Sequence, residues 1–523
     1  MKTQIRTNPV VYSDLPDPDI IRVGDTYYMV STTMHFMPGC DILRSYNLMD
    51  WEFVAHAYDE LEDTPGQRLH GETNIYGRGM WAPSFRYYKG VFYICFTAND
   101  TGKTYLFTAT NPEGPWEKRY MKGFYHDNSL FFDDDDRIYI MHGNTKIRLT
   151  ELDADLSGPK PGGLDRVIAV DEGDVCLGFE GSHLYKRNGK YYAFLCHWPN
   201  DGTRRKKQLC FTADSLEGEF KGKTILDDDL SYHNLGVAQG GMVDTPDGDW
   251  YAFMFHDRGA LGRAPVVMPM HFEDDFPVLG INGKVPGKVS FPSTRPGYTY
   301  APLYGDDDFD YKPDETGKVN LKLFWQFNHI PANELWSVTE RPRTFRLRSG
   351  KLCVNLTQSL NTLTQRTMGP ESAGIVTVDG SGLKDGDIAG LCALQGCYGF
   401  IALTRENGRF YLAMMAHPAK DARISAPKVN TEPPVEFARI PVESPVVTLM
   451  VRTVFDDHKD EASFYYQDGT EWKQLGIDHK LHFKLDHFCG CRFGMFLYST
   501  KEIGGCADFM NFKYVCEPTC TTL

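Results

Sequence analysis

Gly24-Asp25-Thr26-Tyr27-Tyr28-Met29-Val30 is a tight turn followed by an alternating, aromatic-rich strand. The pattern returns four times, as Gly90-Val91-Phe92-Tyr93-Ile94, Asp136-Arg137-Ile138-Tyr139-Ile140, Gly189-Lys190-Tyr191-Tyr192-Ala193 and Gly248-Asp249-Trp250-Tyr251-Ala252. Aligned on Tyr28, Tyr93, Tyr139, Tyr192 and Tyr251, the copies lie roughly 46 to 65 residues apart, the length of a propeller blade. An apolar strand precedes each turn, as in Asp19-Ile20-Ile21-Arg22-Val23 and Ser84-Phe85-Arg86-Tyr87-Tyr88, so each copy reads as a hairpin. Ile42-Leu43-Arg44-Ser45 leading to Trp51, Leu106-Phe107-Thr108 leading to Trp116 and Leu209-Cys210-Phe211-Thr212 leading to Phe220 supply third and fourth strands. No long helical period separates them, which argues against an α/β fold and for a five-bladed β-propeller.

At 523 residues the chain exceeds what one core organises, and two domains are expected. A Pro- and Gly-containing stretch, Phe291 to Gly297, and the acidic run Asp306-Asp307-Asp308 place a boundary near 300 to 315. We divide the chain into a propeller over 1–305 and a second domain over 315–523. Beyond the boundary, short alternating strands such as Thr344-Phe345-Arg346-Leu347, Gly374-Ile375-Val376-Thr377-Val378 and Arg409-Phe410-Tyr411-Leu412-Ala413 predict a β-sandwich, so the whole chain is all-β. A net charge of −15 disfavours nucleic acid or an anionic membrane as partner and suits a neutral substrate. The 13 cysteines form neither a disulfide framework nor a zinc spacing, and the only close pair, Cys489 and Cys491, is expected within a strand. With no apolar leader and no run of about 18 apolar residues, a cytoplasmic location is the expectation. Nothing in the sequence specifies an oligomeric state.

Equivalent positions of the innermost strands of a propeller converge on its axis. Counting back eleven residues from Tyr28 and twelve from the other reference tyrosines gives Asp17, Trp81, Asp127, Glu180 and Gln239. Taken singly, each acid reads as an ordinary turn residue. Three carboxylates at one repeat position are another matter, because their convergence brings like charges together at a cost in free energy. Two carboxylates flanking an anomeric carbon are what glycoside hydrolysis needs, and a third can hold the acid protonated.

The chain resembles family 43 of the glycoside hydrolases, the five-bladed group of β-xylosidases, α-L-arabinofuranosidases and arabinanases. The resemblance rests on Asn8-Pro9-Val10, Pro16-Asp17-Pro18-Asp19-Ile20, Pro38-Gly39 followed by Ser45-Tyr46-Asn47-Leu48-Met49-Asp50-Trp51, Met80-Trp81-Ala82-Pro83, His126-Asp127-Asn128-Ser129-Leu130-Phe131 and Glu180-Gly181-Ser182-His183-Leu184-Tyr185, in that order. It implies that Asp17 is the general base, Glu180 the general acid and Asp127 the group that raises and orients the acid. The family inverts, so the two catalytic carboxyls are expected roughly 6.5 to 9.5 Å apart. It further implies that Trp81 walls the terminal-sugar pocket and that Arg263 bonds sugar hydroxyls; Phe36, just before Pro38-Gly39, is read as a second wall, and Gln239, from its repeat position, as an amide able to bond hydroxyls.

No cofactor is required by this chemistry and no metal ligands are assigned. Many relatives carry a last-blade histidine beside an ion; here Gln239 stands in its place, which puts a central calcium in doubt. Asp133-Asp134-Asp135-Asp136 reads as a solvated turn. Trp325-Gln326-Phe327-Asn328-His329, Leu363-Thr364-Gln365-Arg366 and Asp387-Ile388-Ala389-Gly390-Leu391 resemble the concanavalin-like sandwich of family 43 β-xylosidases, where a loop closes the pocket. That implies exo action on small oligosaccharides derived from xylan or arabinoxylan. Two rivals are weighed: a retaining sucrose-type glycosidase, whose Arg-Asp-Pro signature is absent, and a sugar-binding propeller without catalysis, which predicts gaps among the carboxylates.

Overall fold

The computed structural model describes residues 5–418 and 431–516. The first part of the chain forms five antiparallel four-stranded sheets. The first comprises Asp19–Val23, Thr26–Ser31, Gly39–Ser45 and Glu52–Tyr58, with Tyr28 opposite Ile21 in its opening hairpin. The innermost strands of the next four are Met80–Tyr88, Ser129–Phe132, Val175–Arg187 and Val237–Asp244. Each innermost strand touches those of its two neighbours, and the fifth touches the first, so the blades close into a ring.

Strand alternation explains how one blade serves two cores. Met29 and Leu43 enter the cluster shared with the fifth blade, whereas their chain neighbours Val30 and Ile42 enter the cluster shared with the second. Strands buried on both faces need the continuous apolar and aromatic runs that the repeat displays. The seam between first and last blades is held by the start of the chain. Arg6–Thr7 pairs with Lys288–Val289, and the Asn8 amide donates to the carbonyls of Val267 and Pro286 at 2.8 Å each. Pairing these edges removes the exposed ladder that an open ring would present.

The axial channel has a polar floor. Asp19 accepts from the Phe85 N–H (2.7 Å) and from Arg86 (2.6 Å), and Arg86 donates on to Ser129 Oγ (2.6 Å), which accepts the Leu184 N–H (2.9 Å). Tyr185 Oη then accepts from the Met242 N–H at 3.2 Å. Hydrogen bonds thus link the innermost strands of successive blades from the first to the fifth.

The second part is a sandwich of two eight-stranded sheets, with Leu391, Ile401, Leu449, Phe464 and Phe493 among the residues buried between them. The edge strand of one sheet comes from the propeller: Phe36–Met37, in the loop between the second and third strands of blade one, pairs with Gln326–Asn328. Beneath this junction Asp41 of the propeller is ion-paired with Arg366 of the sandwich at 2.5 Å and lies 3.0 Å from His56 Nδ1, and Gln326 donates to it at 3.0 Å. All four are drawn to a dry seam, where an unpaired charge would be costly. Among the described residues no helix is long and apolar enough to cross a membrane.

Two local expectations change. Cys489 and Cys491 precede the strand Arg492–Ser499 instead of lying within one, because the chain is still turning there. Within the acidic run, Asp134 is solvated, but Asp133 is buried and accepts from Tyr191 Oη at 2.6 Å.

Candidate active site

In every blade the chain is irregular within or just before the innermost strand. Register shifts fall between Trp81 and Ser84, between Glu180 and His183, and between Ala238 and Gly240. Left-handed backbone occurs at Asp17 (φ 51°), Ala82 (φ 34°), Asp127 (φ 45°), Gly181 (φ 66°) and Gln239 (φ 59°), one in each blade. Bulges re-aim side chains, and left-handed non-glycine residues persist only where the surroundings enforce them. This repeated device turns Asp17, Trp81, Asp127, Glu180 and Gln239 onto one site.

Asp17, Asp127 and Gln239 are buried. Asp127 Oδ2 accepts the Gly181 N–H at 3.1 Å, which ties the third blade to the residue after Glu180. Glu180 Oε2 accepts from Asn144 Nδ2 at 2.6 Å. His126 Nε2 sits between the two acids, 3.5 Å from Glu180 Oε2 and 3.7 Å from Asp127 Oδ1. Burial, reinforced by the charges of Glu180 and Asp17, raises the Asp127 carboxyl to about 7, against the pull of His126. The same carboxylates, Asp127 foremost, push the His126 imidazole up. The cluster therefore retains a proton near neutrality, and that proton belongs to the group of acids as a whole.

Trp81 forms one wall. Its ring lies 6.1 Å from His126 and 5.5 Å from Phe488, and its indole N–H is buried without a protein partner. Phe488 belongs to the sandwich, so the second domain reaches the site. Arg263 links the two: Nη1 donates to Asp17 Oδ1 at 3.0 Å and Nη2 to the Phe488 carbonyl at 3.3 Å, while the guanidinium lies over the Phe488 ring at 4.7 Å. Arg263 thus bridges Asp17 and Phe488, and its Nε is buried without a protein partner. Asp14 fastens this arrangement, accepting the N–H of Arg263 at 2.8 Å and of Gly490 at 2.7 Å. A Cβ on Gly262 would lie 2.3 Å from Asp14 Oδ1, and one on Gly490 would lie 2.1 Å from the Leu261 carbonyl oxygen. Neither position has room for a side chain.

Phe36 is not a pocket wall. Its ring is buried beneath the Arg492 guanidinium, 3.5 Å away, because the strand that carries it is committed to the sandwich sheet. Gln239 does reach the channel, with its Oε1 3.8 Å from Cys196 Sγ and its side chain against Gly181. Sequence reasoning missed His126, Asn144 and Phe488. His126 stood inside a quoted motif, next to Asp127; Asn144 and Phe488 carry no signal of spacing, since only the tertiary fold brings them in. His126, Asp127 and Glu180 place three ligand atoms within 4.8 Å of one another. That set of two carboxylates and an imidazole falls short of the roughly six to eight oxygens that calcium takes.

Residues 6–277 match the family model for glycosyl hydrolases family 43, and residues 314–515 match that of the beta xylosidase C-terminal concanavalin A-like domain. The chain belongs to glycosyl hydrolases family 43. This family 43 chain is 26% identical to a beta-xylosidase of Formosa agariphila, over 97% of its own length and 90% of the relative's. It is 29% identical to a non-reducing end alpha-L-arabinofuranosidase of Bacteroides ovatus, over 65% and 64% of the two chains. Among solved structures, a bifunctional GH43-CE chain of Bacteroides eggerthii is 41% identical with a TM-score of 0.89. The match covers 99% of the family 43 chain but 64% of that longer one. The propeller and concanavalin-like sandwich expected from sequence are those of the family, and the chain is a glycosidase.

Proposed function

We propose that this glycosidase acts from the non-reducing end of small oligosaccharides and releases single β-D-xylose or α-L-arabinofuranose units with inversion. The observation that carries the reading is the convergence of Asp17, Asp127 and Glu180, from three blades, in a channel floored by Asp19 and Arg86 and covered by Phe488. A site closed below and lidded by another domain admits a chain end and not the middle of a polymer. The relatives named above, one a beta-xylosidase and one an alpha-L-arabinofuranosidase, support the two pentoses.

In the reaction Asp17 takes a proton from water as the water oxygen bonds to the anomeric carbon, and the bond from that carbon to the glycosidic oxygen breaks. Glu180 delivers a proton to the departing oxygen, so charge is balanced at both ends. Arg263 fixes the orientation of Asp17, and His126 and Asn144 fix that of Glu180. Asp127, held at the Gly181 N–H, orients the strand segment that carries the acid. Trp81 and Phe488 supply apolar faces for the sugar ring. The test is hydrolysis of the 4-nitrophenyl β-D-xylopyranoside and α-L-arabinofuranoside, with proton NMR of the first-formed anomer. Release of inverted pentose, abolished by Asp17→Ala, supports the reading; a retained anomer or no turnover of either glycoside sinks it.

A further inference from the structure

Beside the pocket the propeller loop that carries His35 meets the sandwich segment that carries Phe488. Four rings crowd at this seam. His35 lies 4.8 Å from Tyr76, 4.8 Å from His329 and 5.6 Å from His487, and Tyr76 stacks on His487 at 4.0 Å with 9° between planes. All four residues are buried.

Two of the four have their polar atoms provided for. Tyr76 Oη donates to the Thr357 carbonyl at 2.8 Å and accepts from Asn328 at 2.6 Å. His329 Nε2 accepts the Ile75 N–H at 3.1 Å, and its Nδ1 faces Asn328 Oδ1 at 3.3 Å. His35 differs: both of its ring nitrogens are buried without a hydrogen-bond partner, as is His487 Nδ1. The Asn328 side chain is close enough to act weakly on His35, but it is already committed to Tyr76 and His329. A neutral imidazole carries one N–H and one lone pair, and burying both unmade is among the least favourable states for a polar side chain. Orphaned nitrogens in a native interior call for a ligand.

The ligand's nature follows from what stands beside them. The Cys489 thiol is buried at the same seam, and one ligand atom from each of His35, His487 and Cys489 lies within 4.8 Å of the others. We propose that His35, His487 and Cys489 form a binding site for a divalent ion of the zinc class. Two imidazoles and a thiolate are borderline-soft donors, suited to zinc and unsuited to calcium or magnesium, which take oxygen. Bonds of about 2.0 Å to nitrogen and 2.3 Å to sulfur put tetrahedral ligand atoms about 3.5 Å apart, so small side-chain rotations close the site. Three protein ligands leave the fourth tetrahedral position to a water. Burial keeps both histidines neutral, His35 well below its ordinary value and His487 at about 4, so their lone pairs are available. The thiol, pushed up to about 12 by burial, gives up its proton to solvent as the metal–sulfur bond forms.

The site is distinct from the carboxylate cluster, yet it bears on it. Phe488 is the residue between His487 and Cys489, so the ion pins the backbone on both sides of the pocket's lid and ties it to the propeller through His35.

The full-length chain, produced with zinc in the medium and without a polyhistidine tag, is passed over a chelating resin, and its metal content is measured by plasma mass spectrometry. About one zinc per chain is expected, falling most of the way to zero in Cys489→Ser and in His35→Gln. Exchange into cobalt(II) should give a thiolate-to-cobalt absorption band in the wild type and none in Cys489→Ser, a variant small enough to fold should His35→Gln fail. A wild-type chain that holds no zinc and takes up no cobalt would overturn the site. So would an ion content equal in wild type and Cys489→Ser, which would place the ion at His126, Asp127 and Glu180.

Discussion

Asp17, Asp127 and Glu180 differ more in their surroundings than in their chemistry. Asp17 faces a guanidinium, Glu180 an amide and an imidazole, and the buried Asp127 a backbone N–H. Removing the base by Asp17→Ala should lower kcat by about 10²–10⁴-fold on both pentosides, measured by nitrophenol release. Glu180→Ala should slow substrates with poor leaving groups far more than nitrophenyl glycosides; equal losses on the two would refute its role as acid. The alkaline limb follows from the raised Asp127. Its folded pKa of about 7 lies above the ordinary carboxylate value, so the cluster keeps its proton below that pH and loses it above. A profile of kcat/KM against pH should therefore fall as pH rises through about 7, and Asp127→Asn should displace that limb; an unmoved limb would separate it from the cluster. The three acids were legible in the sequence because a repeat places equivalent residues on a common axis. His126 was adjacent to one of them but has no equivalent in the other blades, and the bond from Arg263 to Asp17 joins residues 246 positions apart, which no spacing reveals.

Blades and sandwich strands were legible for a simple reason: each turn and its aromatic strand are contiguous, and period-two burial on both faces leaves an apolar signature. The strand Phe36–Met37 was not, since two residues carry no period and their partner, Gln326–Asn328, lies nearly 300 residues on. Reading Phe36 as a pocket wall was the cost of missing that pairing. The lid was hidden likewise, because Phe488 sits on a turn whose place is fixed by Asp14, Arg263 and two glycines. Phe488→Ala should raise KM about tenfold, equivalent to about 1.4 kcal/mol, with a smaller effect on kcat. Gly262→Ala should destabilise by about 1–3 kcal/mol or more, seen as a lower Tm, because its φ of 105° is unfavourable to a side chain and Asp14 occupies the space.

At the level of the molecule, the two domains share a sheet, an ion pair and a pocket. Asp41 and Arg366 are both buried, and removing one leaves the other charged in a dry seam. Asp41→Ala should cost about 3–5 kcal/mol, with propeller and sandwich unfolding in one transition; calorimetric separation into two would show the domains to be independent. The floor of the channel has a consequence for traffic. Asp19, Arg86, Ser129 and Tyr185 tie the innermost strands to one another, and on the proposed exo action both products leave by the mouth beneath Phe488. After cleavage the freed pentose is the inner fragment and the shortened oligosaccharide the outer one, and the outer must depart first. Such a queue makes the pentose a competitive inhibitor against substrate and the shortened oligosaccharide a noncompetitive one, so a monosaccharide that accumulates reoccupies the vacant site and throttles its own formation.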